Sequence, residues 1–185
     1  MKKIALAVAL IGTMSAASAQ VYVAGNLGQA RIDVDCSDTV SCDKSDTGYK
    51  LTAGYQLNPL VALEASYIDF GKVKARVIES GINVDVKGES SGFLLAAALR
   101  HNITPEVSLV GRVGLAMLKS KVTASAFGFS DSESYNSTKP YLGLGAEYAL
   151  NKQLRLTVGA DFTDAKVEGE TVSVRLLSAG VQYAF

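Results

Sequence analysis

The feature that most constrains this chain is a run of about eight alternating apolar and polar segments, each near ten residues long and bounded by turn residues. Alternation with period two is the signature of strands with two unlike faces. Beyond the first twenty residues, no apolar run is long enough for a helix across a membrane, which needs about 20 residues. The segments fall at 21–32, 48–57, 61–70, 92–101, 107–119, 141–150, 154–163 and 172–185. Each can supply the roughly 9–11 residues of a tilted transmembrane strand.

The connections between them alternate as well. Asn58-Pro59-Leu60, NITPE and NKQ are short, whereas 33–47, 71–91 and 120–140 are long and 164–171 is of middling length. In an antiparallel meander, alternate connections lie at opposite ends. One end therefore carries tight turns and the other carries loops, the asymmetry of outer-membrane barrels. The three prolines fit, with Pro59 and Pro105 in tight turns and Pro140 read as a strand start. Residues 71–91 alternate on both sides of Glu79-Ser80-Gly81 and predict a two-stranded ribbon. Residues 120–140, rich in Ser and Thr with Phe127, Phe129 and Tyr135, read either as a solvated mobile loop or as a contact surface.

Length and terminus bound the rest. At 185 residues the chain has the size of one domain. MKKIALAVALIGTMSAASAQ has a positive start, a short apolar core and an Ala-Ser-Ala cleavage site, so residues 1–19 are expected to be a secretory signal peptide. The barrel domain then spans 20–185. The 18 basic and 18 acidic residues become 16 and 18 once Lys2 and Lys3 leave. No basic patch points to nucleic acid. Export gives Cys36 and Cys42, the only two cysteines, the reading of one short disulfide, which would stabilise by roughly 2–3 kcal/mol. Two free thiols are the alternative, with a two-ligand metal site third.

Face assignment follows from parity. In 154–163 one parity holds Leu154, Leu156, Val158, Ala160 and Phe162, and the other Arg155, Thr157, Gly159, Asp161 and Thr163. The segments at 61, 107, 141 and 172 divide in the same way. An eight-stranded barrel has an interior just wide enough for side chains. Small residues and a few ions suit that space. Facing lipid instead, Arg112 and Arg155 would each cost about 2–4 kcal/mol near the midplane. The apolar parity is therefore expected to face hydrocarbon. Tyr183, Phe185, Tyr55, Tyr148 and Tyr22 are assigned to an interfacial girdle at the tight-turn end. The last strand must pair with the first, because an open edge in lipid strands polar backbone groups.

Glu64, Arg112, Glu147 and Arg155 are then interior, with Lys50 and Asp161 nearer the loop end. They read as an electrostatic plug, or alternatively as an ion pathway or gate. His101, the only histidine, falls on the lipid-facing parity at the rim, with no nucleophile and acid beside it. No catalytic set, cofactor or metal site is read from the chain.

YVAGNLG, GYQLNPLVALEASY, LRHNITPEVSLVGRVGLAML, LGLGAEYALNKQLRLTVGADF and the terminal GVQYAF, in that order and spacing, resemble the small eight-stranded outer-membrane barrels of the outer-membrane-protein-A type. The resemblance covers essentially all of 20–185. It implies an all-β, up-and-down transmembrane barrel in the outer membrane, with a salt-bridge network at positions matching Glu64, Arg112 and Glu147. Two departures stand out: Ala98 occupies a position where the family has an interior lysine, and Arg155 lies two residues from the usual arginine position, Thr157. The resemblance also implies that Tyr183 and Phe185 are read by the outer-membrane assembly machinery. The sequence stops with the barrel, so a cell-wall anchor is not expected. The leading expectation is a structural and adhesive role, with loops contacting a host or surface ligand. Outer-membrane lipid and that machinery are the expected partners, and a monomer is expected. A small ion or solute channel is the alternative, and a soluble lipocalin-type barrel a third reading.

Overall fold

The computed structural model describes residues 21–33, 41–79, 82–126, 129–167 and 170–185. They form strands β1 (Val21–Ile32), β2 (Ser41–Asp43), β3 (Ser45–Asn58), β4 (Val61–Glu79), β5 (Ile82–Asn102), β6 (Val107–Ala126), β7 (Phe129–Ala149), β8 (Leu154–Val167) and β9 (Glu170–Ala184). Eight of these close a barrel. Each pairs antiparallel with its chain neighbour, β4 pairs with β5, and β9 returns to β1 through pairs such as Val23–Tyr183. The Phe185 amide donates to the Val21 carbonyl at 3.0 Å, so the ladder is carried to the last residue. Closure leaves no edge within the membrane, as a bilayer requires. The short β2 pairs along the edge of β4 that β3 occupies nearer the turns, Cys42 opposite Ala75.

The three tight turns share one device. The side-chain oxygen of Asn58 accepts from the amides of Leu60 and Val61, both at 2.9 Å. Thr104 Oγ1 accepts from Glu106 and Val107, and Asn151 Oδ1 from Gln153 and Leu154. Each oxygen satisfies two amides that the reversing ladder leaves over.

The outer ends of the strands run further than the alternation shows. The 71–91 segment is the ribbon expected, paired out to Glu79–Ile82. Residues 120–126 and 129–140 are also ladder, paired from Val107–Tyr148 to Ala126–Phe129, which corrects the loop reading for these residues. In the β7 half, 130–139, polar residues occupy both parities, so hydrophobic alternation gave no signal there, yet backbone pairing continues beyond the apolar belt. Phe127 lies outside the described residues. Pro140 is interior to β7 and does not start a strand. It sits where the β7–β8 ladder ends at Tyr141–Thr163, and its carbonyl accepts from Thr163 Oγ1 at 2.9 Å.

Gly71, at φ 70°, marks a bulge in β4, where Asp69 pairs with Ser91 but Lys72 pairs with Glu89. The extra residue flips parity. Lys72 is thereby turned outward to Glu89 at 3.0 Å, and Val73 packs against the interior apolar cluster. The Lys72 ammonium is held above the ordinary lysine range, first by its hydrogen bond to Glu89 and then by that carboxylate's charge.

The belt matches the parity argument. Leu27 and Leu144 are 67% and 66% exposed, whereas Thr157, Asp161 and Glu147 are buried. Two aromatic girdles bound the belt. Tyr55, Tyr148, Tyr183 and Phe185 lie at the turn end, and Tyr49, Tyr67, Phe93 and Phe162 toward the loop end. Tyr183 and Phe185 meet edge to face at 5.2 Å, as do Tyr67 and Phe93 at 5.5 Å. Tyr22 is no part of either girdle. It is 3% exposed and points inward, which corrects its sequence assignment.

Candidate functional site

The lumen is built in two tiers. The tier nearer the turns is ionic. Glu64, on β4, accepts from Arg112 Nε on β6 at 2.7 Å and from the Tyr22 hydroxyl on β1 at 2.6 Å. Glu147, on β7, accepts from Arg100 on β5 at 3.0 and 3.1 Å and from Arg155 on β8 at 3.0 Å. Arg112 stands between the two acids, 4.0 Å from Glu147. Nearer the loops, Lys50 on β3 donates to both oxygens of Asp161 on β8, at 2.6 and 2.7 Å, and the Tyr141 hydroxyl donates to the same carboxylate. Period-two alternation delivers these groups from seven strands to one axis, where each acid is satisfied by two or more donors.

All six interior residues expected from sequence are thus placed in the lumen: Glu64, Arg112, Glu147, Arg155, Asp161 and Lys50. They do not form a single cluster. Lys50 and Asp161 pair with each other at 2.6 Å, and Arg155, 29% exposed at its side chain, sits at the turn-end rim. Arg100 was missed by the sequence reading. Its side chain is 7% exposed, its guanidinium lies 5.7 Å from the centroid of the Tyr22 ring, and it donates to Gln56 as well as to Glu147. Counting back in twos from Arg100 to the buried Ala98 would have placed it inside. Two residues from Ala98 and on the same face, it supplies a cation that Ala98 cannot.

Four cations, Lys50, Arg100, Arg112 and Arg155, face three acids, Glu64, Glu147 and Asp161. Two hydroxyls, those of Tyr22 and Tyr141, add neutral donors. The ring of Tyr22 needs Gly54 opposite it, since a Cβ there would stand 2.1 Å from the ring carbon Cζ. Asn26 to Thr157 at 2.7 Å and Thr52 with Ser66 at 2.8 Å fill the remaining wall.

The upper tier is apolar. Ile68, Phe70, Leu94, Leu118, Val174 and Leu176 are 0–2% exposed and pack with Ala30, Ala116 and Ala165 across the loop-end lumen. Among the ionic and polar groups lies a cavity of about 20 Å³ bordered by Tyr22, Asn26, Lys50, Glu64, Arg112 and Thr157. A buried water needs about 10–15 Å³ of such space, so this is room for one water and not for a continuous file.

His101 is exposed at the turn-end rim, as its parity requires. Among the described residues no group of three His, Cys, Asp or Glu is placed to hold a metal ion. Cys36 lies outside the described residues, and Cys42 is placed by its backbone alone. Beyond the loop-end girdle the outer wall carries exposed Lys72, Lys87, Lys119, Lys121 and Lys166.

Comparison with known proteins agrees with this architecture. The family model described as "Outer membrane protein beta-barrel domain" matches residues 4–185. Outer membrane protein A of Shigella flexneri is 26% identical over 199 residues, covering 100% of this chain but 56% of its own length. The chain therefore spans about half the length of that relative. The attachment invasion locus protein of Yersinia pseudotuberculosis is 27% identical, with 99% of this chain and 98% of that protein covered. The crystal structure of Ail, the attachment invasion locus protein of Yersinia pestis, superposes with a TM-score of 0.58 at 22% identity, covering 90% of this chain and 100% of that one. Its complex with the heparin analogue sucrose octasulfate gives 0.55 at the same identity, covering 89% and 98%.

Proposed function

The chain belongs to the outer membrane protein β-barrel domain family, and from that premise we propose that it is a non-conducting scaffold which holds strand-built hairpins above the outer membrane for attachment to a surface ligand. It is an integral protein of the outer membrane and crosses it as an eight-stranded barrel. The observation that carries the proposal is the filled lumen beneath extended hairpins. An ionic tier and an apolar tier both span the interior, while the β4–β5 ladder, resumed beyond its bulge at Gly71, and the β6–β7 ladder continue well past the girdle. Such strand-paired, projecting ribbons offer a partner pre-ordered backbone, which lowers the entropy lost on binding.

The role is one of attachment and not of catalysis. Each interior carboxylate is clamped by cations, Glu64 and Asp161 by a tyrosine hydroxyl as well, behind the apolar tier and out of reach of a substrate. In the same reading, Tyr183 and Phe185 form the signal for the assembly machinery, the barrel works as a monomer, and residues 1–19 are removed on export. The Yersinia pestis relative's complex with a heparin analogue makes a sulfated glycan the first ligand to try. The exposed lysines beyond the girdle suit sulfate groups.

Cells displaying the protein are expected to attach to heparin-coated surfaces more than to surfaces coated with desulfated heparin. Replacing residues 72–89 with a two-residue turn should abolish the difference while leaving heat-modifiable gel mobility intact. Equal attachment by the parent and the trimmed barrel would refute the assignment.

A further inference from the structure

Glycines show where the barrel wall bends most sharply. On the β1–β9 seam, a Cβ at Gly28 would stand 1.8 Å from the Leu177 carbonyl oxygen, and one at Gly180 1.9 Å from that of Gly25. On the β5–β6 seam, the same distance is 2.1 Å from Gly92 to Met117 and 2.0 Å from Gly114 to Leu95. Gly48 on β3 and Gly145 on β7 face a neighbouring carbonyl at 2.8 and 2.7 Å. Glycine within a strand marks a tight bend at a barrel corner. Around the ring, β1, β3, β4 and β5 lie between the two seams on one side, and β6, β7, β8 and β9 on the other. The wall is therefore two four-stranded halves that meet at opposite corners.

Every strand of the first half makes one polar contact across the lumen to the second. Asn26 on β1 donates to Thr157 on β8 at 2.7 Å, and Lys50 on β3 donates to Asp161 on β8 at 2.6 Å. Arg100 on β5 donates to Glu147 on β7 at 3.0 Å, and Glu64 on β4 accepts from Arg112 on β6 at 2.7 Å. Glu64, Glu147 and Asp161 thus each take a cation from the opposite half. The backbone ladder alone orders the strands within a half. These contacts form only once the two halves face each other.

We propose that the barrel closes as a hinged pair of sheets, with the β5–β6 corner as the hinge, the β1–β9 corner as the closing edge and the three cross-lumen ion pairs as latches. β5 and β6 are joined by the tight turn at Thr104, so the hinge forms between chain neighbours. β1 and β9 lie at opposite ends of the sequence, and their pairing needs both halves in place. Until it forms, each carries a bare ladder edge, which lipid penalises. Attraction between opposite charges strengthens as water leaves the lumen. Lys50, Arg100 and Arg112 therefore draw the halves together while the closing edge is still unpaired.

The test follows the two corners separately while the full mature chain refolds from urea into lipid vesicles. In a Cys36→Ser, Cys42→Ser background, Leu27→Cys with Ala179→Cys spans the closing edge, and Leu95→Cys with Leu115→Cys spans the hinge. Each pair is directly opposite in its ladder. A lipid-soluble oxidant, sampled through refolding, traps each contact as a disulfide. The hinge disulfide should form first, and the closing-edge disulfide together with the heat-modifiable form. Removing two latches, by Lys50→Gln with Asp161→Asn and Glu64→Gln with Arg112→Gln, should slow the closing-edge disulfide by about tenfold or more, the loss expected for removing charge-assisted bonds. The hinge disulfide should keep the parent's rate. Where that variant never folds, the hinge disulfide should still form and the closing-edge disulfide stay absent. Exchanging one latch, Lys50→Asp with Asp161→Lys, should close at the parent's rate. Equal slowing at both corners, an unslowed closing edge, or an exchanged latch as slow as the latchless chain would overturn the proposal.

Discussion

Glu147→Gln is the most informative single change in the lumen. Its carboxylate is 2% exposed and accepts three hydrogen bonds, two from Arg100 and one from Arg155, with Arg112 4.0 Å away. Glutamine keeps the shape and one acceptor oxygen but removes the charge. It also turns an NH₂ toward a guanidinium. Arg112 retains Glu64, and the partly exposed Arg155 can turn to water. Arg100, 7% exposed at its side chain, keeps only Gln56. Breaking a buried ion pair by removing one partner costs about 3–5 kcal/mol. With one acceptor preserved and two of the three cations otherwise served, the lower end, about 3 kcal/mol, is expected. At ~1–3 kcal/mol per molar urea, the unfolding midpoint in lipid vesicles should fall by about 1–3 M, read from heat-modifiable gel mobility. Arg155→Gln should move it far less, because that pair is solvent-screened at the rim. A Glu147→Gln shift no larger than that of Arg155→Gln would show that the ionic tier is not energetically coupled as described.

Three further outcomes follow from the same geometry. Tyr22→Phe removes the 2.6 Å donor to Glu64 and should cost about 1.5–3 kcal/mol in the same urea assay; a smaller loss than for an exposed girdle change such as Tyr148→Phe would contradict the inward placement of Tyr22. Gly54→Ala should block appearance of the heat-modifiable folded form, and Tyr22→Ala in the same chain should restore it, since the added Cβ collides with that ring; no rescue would mean the glycine serves another purpose. Planar bilayers holding the protein should stay silent, and Leu118→Ala should leave them silent because the ionic tier still closes the lumen; reproducible unit steps in either would refute the two-tier seal.

Parity made most of the fold legible. Alternation in β4, β6, β7, β8 and β9 separated Leu, Val and Phe from Gly, Thr and ions, and the loop asymmetry fixed which end was which. Six interior charges were readable because a long ion has only one tolerable side when the other is hydrocarbon. Three things were not. The β7 half of the outer β6–β7 hairpin, residues 130–139, is polar on both parities, so its pairing leaves no hydropathy signal. Arg100 lies near the end of β5 beside His101 and Asn102, where the strand resembles turn. Tyr22 suits an interfacial girdle on chemistry alone. Only the register, which sets it against Gly54, reveals that its ring has room inside and nowhere else.

The two tiers explain why a barrel this narrow keeps charges at all. An all-apolar interior would be easier to desolvate, and replacing a buried ion network with well-packed apolar side chains is often neutral or stabilising. Here, however, an apolar interior would remove the contrast between the faces. With leucines on both parities, a one-residue slip of any strand would leave the belt and lumen equally satisfied. Glu64, Arg112, Glu147 and Asp161 forbid that slip, since each would enter hydrocarbon. The apolar tier lies at the loop end, where β4 and β5 continue past the girdle and the bulge at Gly71 already pins their register. On this argument, ions fill the tier where strands end in tight turns and cross the belt. Ile68, Phe70 and Leu118 fill the tier where a local backbone device has taken over the same task.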